Sequence, residues 1–262
     1  MRFDLVAIGE VLVDVTLGEL APGRVSHAPV RLRAGGTAAN AALAAAGAGA
    51  RAAAVGRVGD DPAAGLIRAQ LAAAGVEPLL AVDPELPTGT FVEASVGGER
   101  TIVADRGATD AFSAADLPAI EAGAVLVSGY LLFHERTHEA ARAALGAFGA
   151  RLAGATGGSS ALADRARLAG VDVLVANADE ALALTGLEPE PAAQALAGEV
   201  EIACVTLGAD GAVAARGETV ARAGGGTRWA DALGAGDAFA ARLLVALAAG
   251  AGLADALRRA GS

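Results

Sequence analysis

Residues 231–239 read Asp-Ala-Leu-Gly-Ala-Gly-Asp-Ala-Phe and run directly into the apolar stretch 240–249, so a glycine loop opens a buried helix with Asp237 in its first turn. Small residues let the chain bend sharply and leave the amides of Ala235, Gly236 and Asp237 free at a helix N-terminus, where unpaired N–H groups and the helix dipole favour an anion. An anion site alone would not add a carboxylate. The combination points to phosphoryl transfer, with Asp237 taking a proton from a hydroxyl while the amides absorb charge developing on the transferred group. The plain alternative, in a chain with 36 glycines, is that Asp237 merely suits a helix start.

Composition narrows the chemistry. At 262 residues the chain can bury a sizeable core as one large α/β unit. All 20 basic residues are arginine and there is no lysine, which excludes a Walker A loop, a protein-kinase strand lysine and Schiff-base catalysis. A net charge of −10 argues against a nucleic-acid groove. Cys204 is the only cysteine, so no internal disulfide can form, and the N-terminal run carries Asp4 and Glu10, unlike a signal peptide. No apolar run reaches the length of a membrane span without interruption, so a soluble, cytoplasmic protein is expected.

The elements that must position these residues alternate. Strands are expected at 5–8, 11–17, 30–33 and 52–55, and helices at 40–46 and 63–74, the second after Gly59-Asp60-Asp61-Pro62. Residues 90–96 and 99–103 flank Gly97-Gly98, a hairpin signal with a primed turn. With the strands around 11–33 this hairpin could form a small separate sheet and act as a lid over a site. Its exposed edge could pair across a homodimer. Further on come strand 124–127, helix 136–152, strand 171–175, helix 179–184, strand 202–207, a hairpin over 212–221 and the final helices, with a glycine-rich patch at 154–160. The pattern is a mostly parallel sheet with helices on both faces, whose sites form at the carboxyl ends of strands, where Gly35-Gly36, Asn177 and Gly208 fall.

From residue 5 to about 257 the chain resembles the PfkB, or ribokinase-like, family of sugar kinases. Gly35-Gly36-Thr37-Ala38-Ala39-Asn40 with Val55-Gly56-Arg57-Val58-Gly59-Asp60-Asp61 and Gly65 is similar to the family's first signature. Asn177-Ala178-Asp179-Glu180 is similar to its N-x-x-E motif, Thr206-Leu207-Gly208-Ala209-Asp210-Gly211 to its nucleotide-binding turn, and residues 231–239 to its second signature. The resemblance implies a three-layer α/β/α fold over residues 1–262, with lid strands around 11–33 and 88–105. It also implies ATP-dependent phosphorylation of a hydroxymethyl group on a small sugar. Asp237 would be the base and Gly234, Ala235, Gly236 and Asp237 the anion hole. Asp14, Gly35, Gly36 and Asn40 would hold sugar hydroxyls, and Arg106 the substrate or the terminal phosphate. Asn177 and Glu180 would act on Mg²⁺, Glu180 through water, while Thr206, Gly208 and Gly211 border the nucleotide and Asp231 contributes to a monovalent-cation (K⁺) site. Gly9-Glu10 followed by Asp14 leans toward the fructokinase and ketodeoxygluconate-kinase branch. Plainer roles are a turn-capping acid for Asp14, a solvated surface arginine for Arg106 and an exposed helix acid for Glu180.

There are departures from the family pattern. Ala232 stands where threonine is common, residues 152–156 poorly match a strand ending in an acid, and Ser262 comes soon after the signature helix. A shortened chain, a misjudged gene end or an altered function would each explain that ending. These departures favour, as one alternative, an impaired sugar-binding pseudokinase or fragment; a nucleoside kinase of the same family is the other. His134-Glu135-Arg136-Thr137-His138 matches the zinc-protease pattern H-E-x-x-H. Ala141 and Ala144 replace the glycine and third histidine of the longer motif, and no glutamate lies between Glu139 and Glu180 to supply a third ligand. The five residues are expected at the surface of a loop-to-helix junction.

Overall fold

The structure is a computed structural model and describes residues 2–159, 161, 163–225 and 234–261. Strand β1 (Arg2–Ile8) is buried on both faces: Leu5 and Ala7 belong to one apolar layer, Val6 and Ile8 to the other. On one side of β1 lie β4 (Ala52–Gly59) and then β5 (Glu77–Asp83). On the other side lie β8 (Glu121–Val127), β9 (Leu152–Thr156), β10 (Val173–Asn177) and β11 (Ile202–Thr206), all parallel. The antiparallel strands β12 (Ala212–Arg216) and β13 (Thr219–Ala223) complete a nine-stranded sheet. The chain leaves β1 toward β4 and later returns to β8, so strand order reverses between β1 and β8. Open α/β sheets bind ligands in the crevice at that position.

Helices cover both faces. Helices α1 (Thr37–Gly47), α2 (Pro62–Ala73), α7 (Ala235–Ala248) and α8 (Leu253–Ala260) pack on the Leu5 face. On the Val6 face lie α3 (Gly129–Leu132), α4 (His138–Leu145), α5 (Ala178–Thr185) and α6 (Pro189–Leu196). Helix α7 has almost no polar face and is buried between the sheet, α1 and α8. Its Leu244 fills the space over Gly154 of β9, where an added Cβ would lie 2.5 Å from Leu244 Cδ2.

The hairpin and the early strands form the expected second sheet, of four strands: β2 (Leu12–Leu20), β3 (Val30–Gly35), β6 (Thr88–Val96) and β7 (Glu99–Gly107), in the order β3-β2-β6-β7. Gly97 and Gly98 both have positive φ, 63° and 80°, as a type I′ turn requires.

The helix expected over 136–152 needs correction. Helix α4 ends at Leu145, Gly146 caps it, and Phe148 (φ 66°) and Gly149 (φ 55°) turn the chain into β9, whose first residue is Leu152. Alanine-rich composition hid that break. Helix α1 begins at Thr37 and not at Asn40, because Gly36 with φ 85° is its N-cap. Strand β5 and helix α6 escape a reading by periodicity: β5 is an edge strand carrying Pro78, and Pro189 and Pro191 give α6 the look of a loop. Leu244→Ala would empty a fully buried site and is expected to destabilise the fold by about 2–5 kcal/mol, measured by urea unfolding.

Candidate active site

Gly234 caps α7 in the left-handed conformation, φ 85° and ψ 8°. It lies so close to α1 that a Cβ there would stand 2.7 Å from Asn40 Cγ, so glycine is required for both reasons. The first intrahelical bond runs from the Ala238 amide to the Gly234 carbonyl, which leaves the amides of Ala235, Gly236 and Asp237 ahead of the helical ladder. Asn40 Nδ2 donates to Asp237 Oδ2 at 3.0 Å, joining the first turns of α1 and α7. Burial pushes the Asp237 carboxyl up to about 7; the Asn40 and Thr37 hydrogen bonds oppose this, and the charges of Glu10 and Glu180 reinforce it.

The acceptor-side candidates lie at the ends of β1, β2 and β3. Asp14 is 2% exposed, its carboxylate is pressed against Gly35 where no side chain would fit, and Arg33 Nη2 ion-pairs with Oδ2 at 3.0 Å. Burial raises the Asp14 pKa against the opposing Arg33 charge. A Cβ on Gly36 would collide with the Glu10 carbonyl. Glu10, not singled out as a site residue by the motifs, is 6% exposed and accepts from Ser128 Oγ at 2.6 Å and Arg106 Nη1 at 3.2 Å. The available signal was its place two residues beyond a buried strand. Arg106 is no solvated surface arginine, because Asp110 holds its Nε at 2.6 Å as well.

Asn177 and Glu180 form a capping box at the start of α5: Asn177 Oδ1 accepts from the Glu180 amide at 2.9 Å, and Glu180 Oε2 from the Asn177 amide at 2.8 Å. Their spacing therefore has a helix-start reason of its own. Glu180 is half-buried against Gly157, where a Cβ would strike its carboxylate, so the glycine-rich patch makes room for this acid. Burial raises the Glu180 carboxyl to about 7, the Asn177 amide opposes that, and the Asp179 charge adds to it. Tyr130 lies within electrostatic reach of Glu180, Glu10, Asp237 and Arg106, and burial raises its pKa.

Thr206, Gly208 and Gly211 line one pocket with Gly225, Ala235 and Gly236, which joins the end of β11 to the first turn of α7. Gly211, with φ 98°, is a position where a side chain would clash with the Ala223 carbonyl. Asp231 and Ala232 lie outside the described residues. Strand β9 ends on Thr156, not on an acid, and Thr156 Oγ1 accepts from the Gly129 amide at 2.8 Å.

The histidine motif is built differently from a metal site. His134 precedes α4, His138 opens it, and His138 Nδ1 lies 2.7 Å from the Leu132 carbonyl. Both histidines are half-buried and Thr137 is fully buried, so only Glu135 and Arg136 are surface residues. Among the described residues no three His, Cys, Asp or Glu side chains are grouped to hold a metal ion. No helix among them is long and apolar enough to cross a membrane.

The model of the pfkB family carbohydrate kinases matches residues 2–261. The chain belongs to this family. Its fold is similar to that of adenosine kinase from Sinorhizobium meliloti, with TM-score 0.85 and 26% identity over 100% of this chain and 92% of that one. A probable sugar kinase from Rhizobium etli gives 0.85 and 26%, over 99% and 92%. The Arabidopsis thaliana ribokinase complexed with ribose and ATP gives 0.79 and 26%, over 100% and 91%. No curated protein matches the chain by sequence. The three-layer kinase fold expected from the motifs is thus the fold observed.

The carboxyls have a consequence for stability. Unfolded, Asp237 ionises near 3.8; folded, near 7, so the native state binds more protons between those values and the contribution to stability falls as pH rises through that window. Asp237→Asn keeps the shape and removes the buried charge. Its thermal midpoint at pH 8 is expected to exceed the wild type by about 2–4 °C, with a smaller difference at pH 5, read by scanning calorimetry. A midpoint below wild type at pH 8 would contradict the burial of this charge.

Proposed function

We propose that this kinase transfers the terminal phosphoryl group of ATP to a hydroxymethyl group of a small sugar. The observation that carries the reading is Asp237: a carboxylate of raised proton affinity, hydrogen-bonded by Asn40, among three amides that the α7 ladder leaves open, beside the pocket lined by Thr206, Gly208 and Gly211. In the proposed step the Asp237 carboxylate accepts the acceptor hydroxyl's proton as that oxygen attacks the terminal phosphorus, and ADP leaves. The Ala235, Gly236 and Asp237 amides receive the negative charge that builds on the moving group. Asp14, Asn40 and the bare backbone of Gly35 and Gly36 suit a polyol, and Arg106 suits an oxygen of either substrate. The small sheet would serve as the lid. Glu180 and Asn177 offer the hard oxygen donors that Mg²⁺ takes through water, and the ion would neutralise charge on the triphosphate. With no lysine in the chain, the remaining positive charge comes from arginine.

A nucleoside acceptor is the second reading, favoured by the likeness to the S. meliloti adenosine kinase. A panel of free sugars and nucleosides with ATP and Mg²⁺, followed by ADP release, separates the two. Asp237→Asn is expected to lower kcat by about 10²–10⁴-fold while the acceptor KM changes little. The wild-type kcat/KM is expected to rise with pH through about 7 as Asp237 loses its proton. Phosphorylation by the variant at the wild-type rate would rule out Asp237 as the base.

A further inference from the structure

Glu10 stands at the reversal of strand order, two residues beyond β1, with both carboxylate oxygens engaged. Its two partners come from different parts of the molecule. Ser128 follows β8 of the large sheet, whereas Arg106 belongs to β7 of the small one. The other carboxylate on Arg106, Asp110, lies four residues along the chain in a short turn, Ala108–Ala111, that packs against β4 of the large sheet as well as β6 of the small one, and it holds the arginine by Nε alone. Arg136 Nη1 is a further 3.8 Å from Asp110. With Nε on Asp110 and Nη1 on Glu10 the guanidinium plane has a set orientation, yet Nη2 is buried and has no hydrogen-bond partner among the described residues. A buried cationic N–H without an acceptor is costly, and an incoming oxygen would complete it. Tyr130 feels the charges of Arg106, Glu10, Asp237 and Glu180 together, which puts the arginine in the space of the candidate base.

We infer that Glu10 is a positioning residue that anchors Arg106 to the large sheet and so presents Nη2 to an oxygen of the acceptor substrate, an inference that rests on the kinase reading above. A carboxylate suits this place better than an amide. Ser128 Oγ and Arg106 Nη1 both donate to it, so both oxygens must accept, and a buried acid needs a cation beside it. Without Glu10, Asp110 alone holds Arg106, by Nε, and the Nη1–Nη2 end of the guanidinium loses its set direction.

A double-mutant cycle of Glu10→Ala and Arg106→Ala tests this in the full chain, with two readouts. In steady-state kinetics each single variant is expected to raise the acceptor KM about tenfold or more while ATP KM stays within about twofold, and the double variant should be no worse than Arg106→Ala. In hydrogen–deuterium exchange without substrate, amides of residues 99–107 should lose protection equally in all three variants. Additive effects, or unchanged exchange together with unchanged acceptor KM, would overturn the inference. Absence of wild-type turnover on every acceptor would instead count against the kinase reading, and the exchange cycle would still decide the anchor. Should Glu10→Ala not fold, Glu10→Gln keeps the shape without the charge; a raised acceptor KM supports the anchor and an unchanged one refutes it.

Discussion

The hydrogen bond from Asn40 to Asp237 joins residues 197 apart in the chain, and much of the site depends on the approach it records. Two helix N-termini must meet for it to form. Gly36 caps one in a positive-φ conformation, Gly234 caps the other, and neither position has room for a Cβ. Apolar packing supplies the force, since Phe239, Ala240, Ala241, Leu243, Leu244 and Ala246 of α7 are buried between α1, α8 and the sheet. The result is a carboxylate in a poorly solvated place beside three amides that precede the α7 hydrogen-bond ladder.

Such a place is unfavourable for a charge, and its neighbours make it more so. Glu10 and Glu180 raise the proton affinity of Asp237 further, while Asn40 and Thr37 give only part of it back. A fold selected for stability alone would neutralise this cluster. Under the proposed reading the conflict serves the reaction, because a base that ionises near neutrality can both take a proton and give it up. The arginines fit the same logic: Arg33 faces Asp14, and Arg106 faces Glu10 and Asp110.

The structure gives several motifs a local reason of their own. The N-x-x-E segment is a capping box, and the glycine-rich patch, unremarkable in sequence, is where Glu180 lies against Gly157. The H-E-x-x-H match is undone by a break in the helix: His134 falls before α4, and His138 spends its Nδ1 on a backbone carbonyl. Motif spacing presumes a continuous helix, and continuity depends on packing that spacing does not encode.

Most strands of the two sheets, the type I′ hairpin and the glycine-to-helix turn before Asp237 were legible in the sequence, because backbone conformation there follows from local residue types and from alternation over a few positions. The true end of helix α4, the central strand β9, the edge strand β5 and the proline-rich α6 were not, since alanine, glycine and proline carry weak periodicity. What only the tertiary structure decided is which charges meet. The pairing of Glu10 with Arg106, the enclosure of Asp14 by Gly35 and the shared field of Asp237 and Glu180 arise where distant strand ends converge on one crevice. Electrostatic coupling depends on distance and burial through space, and neither is a property of neighbours in the chain.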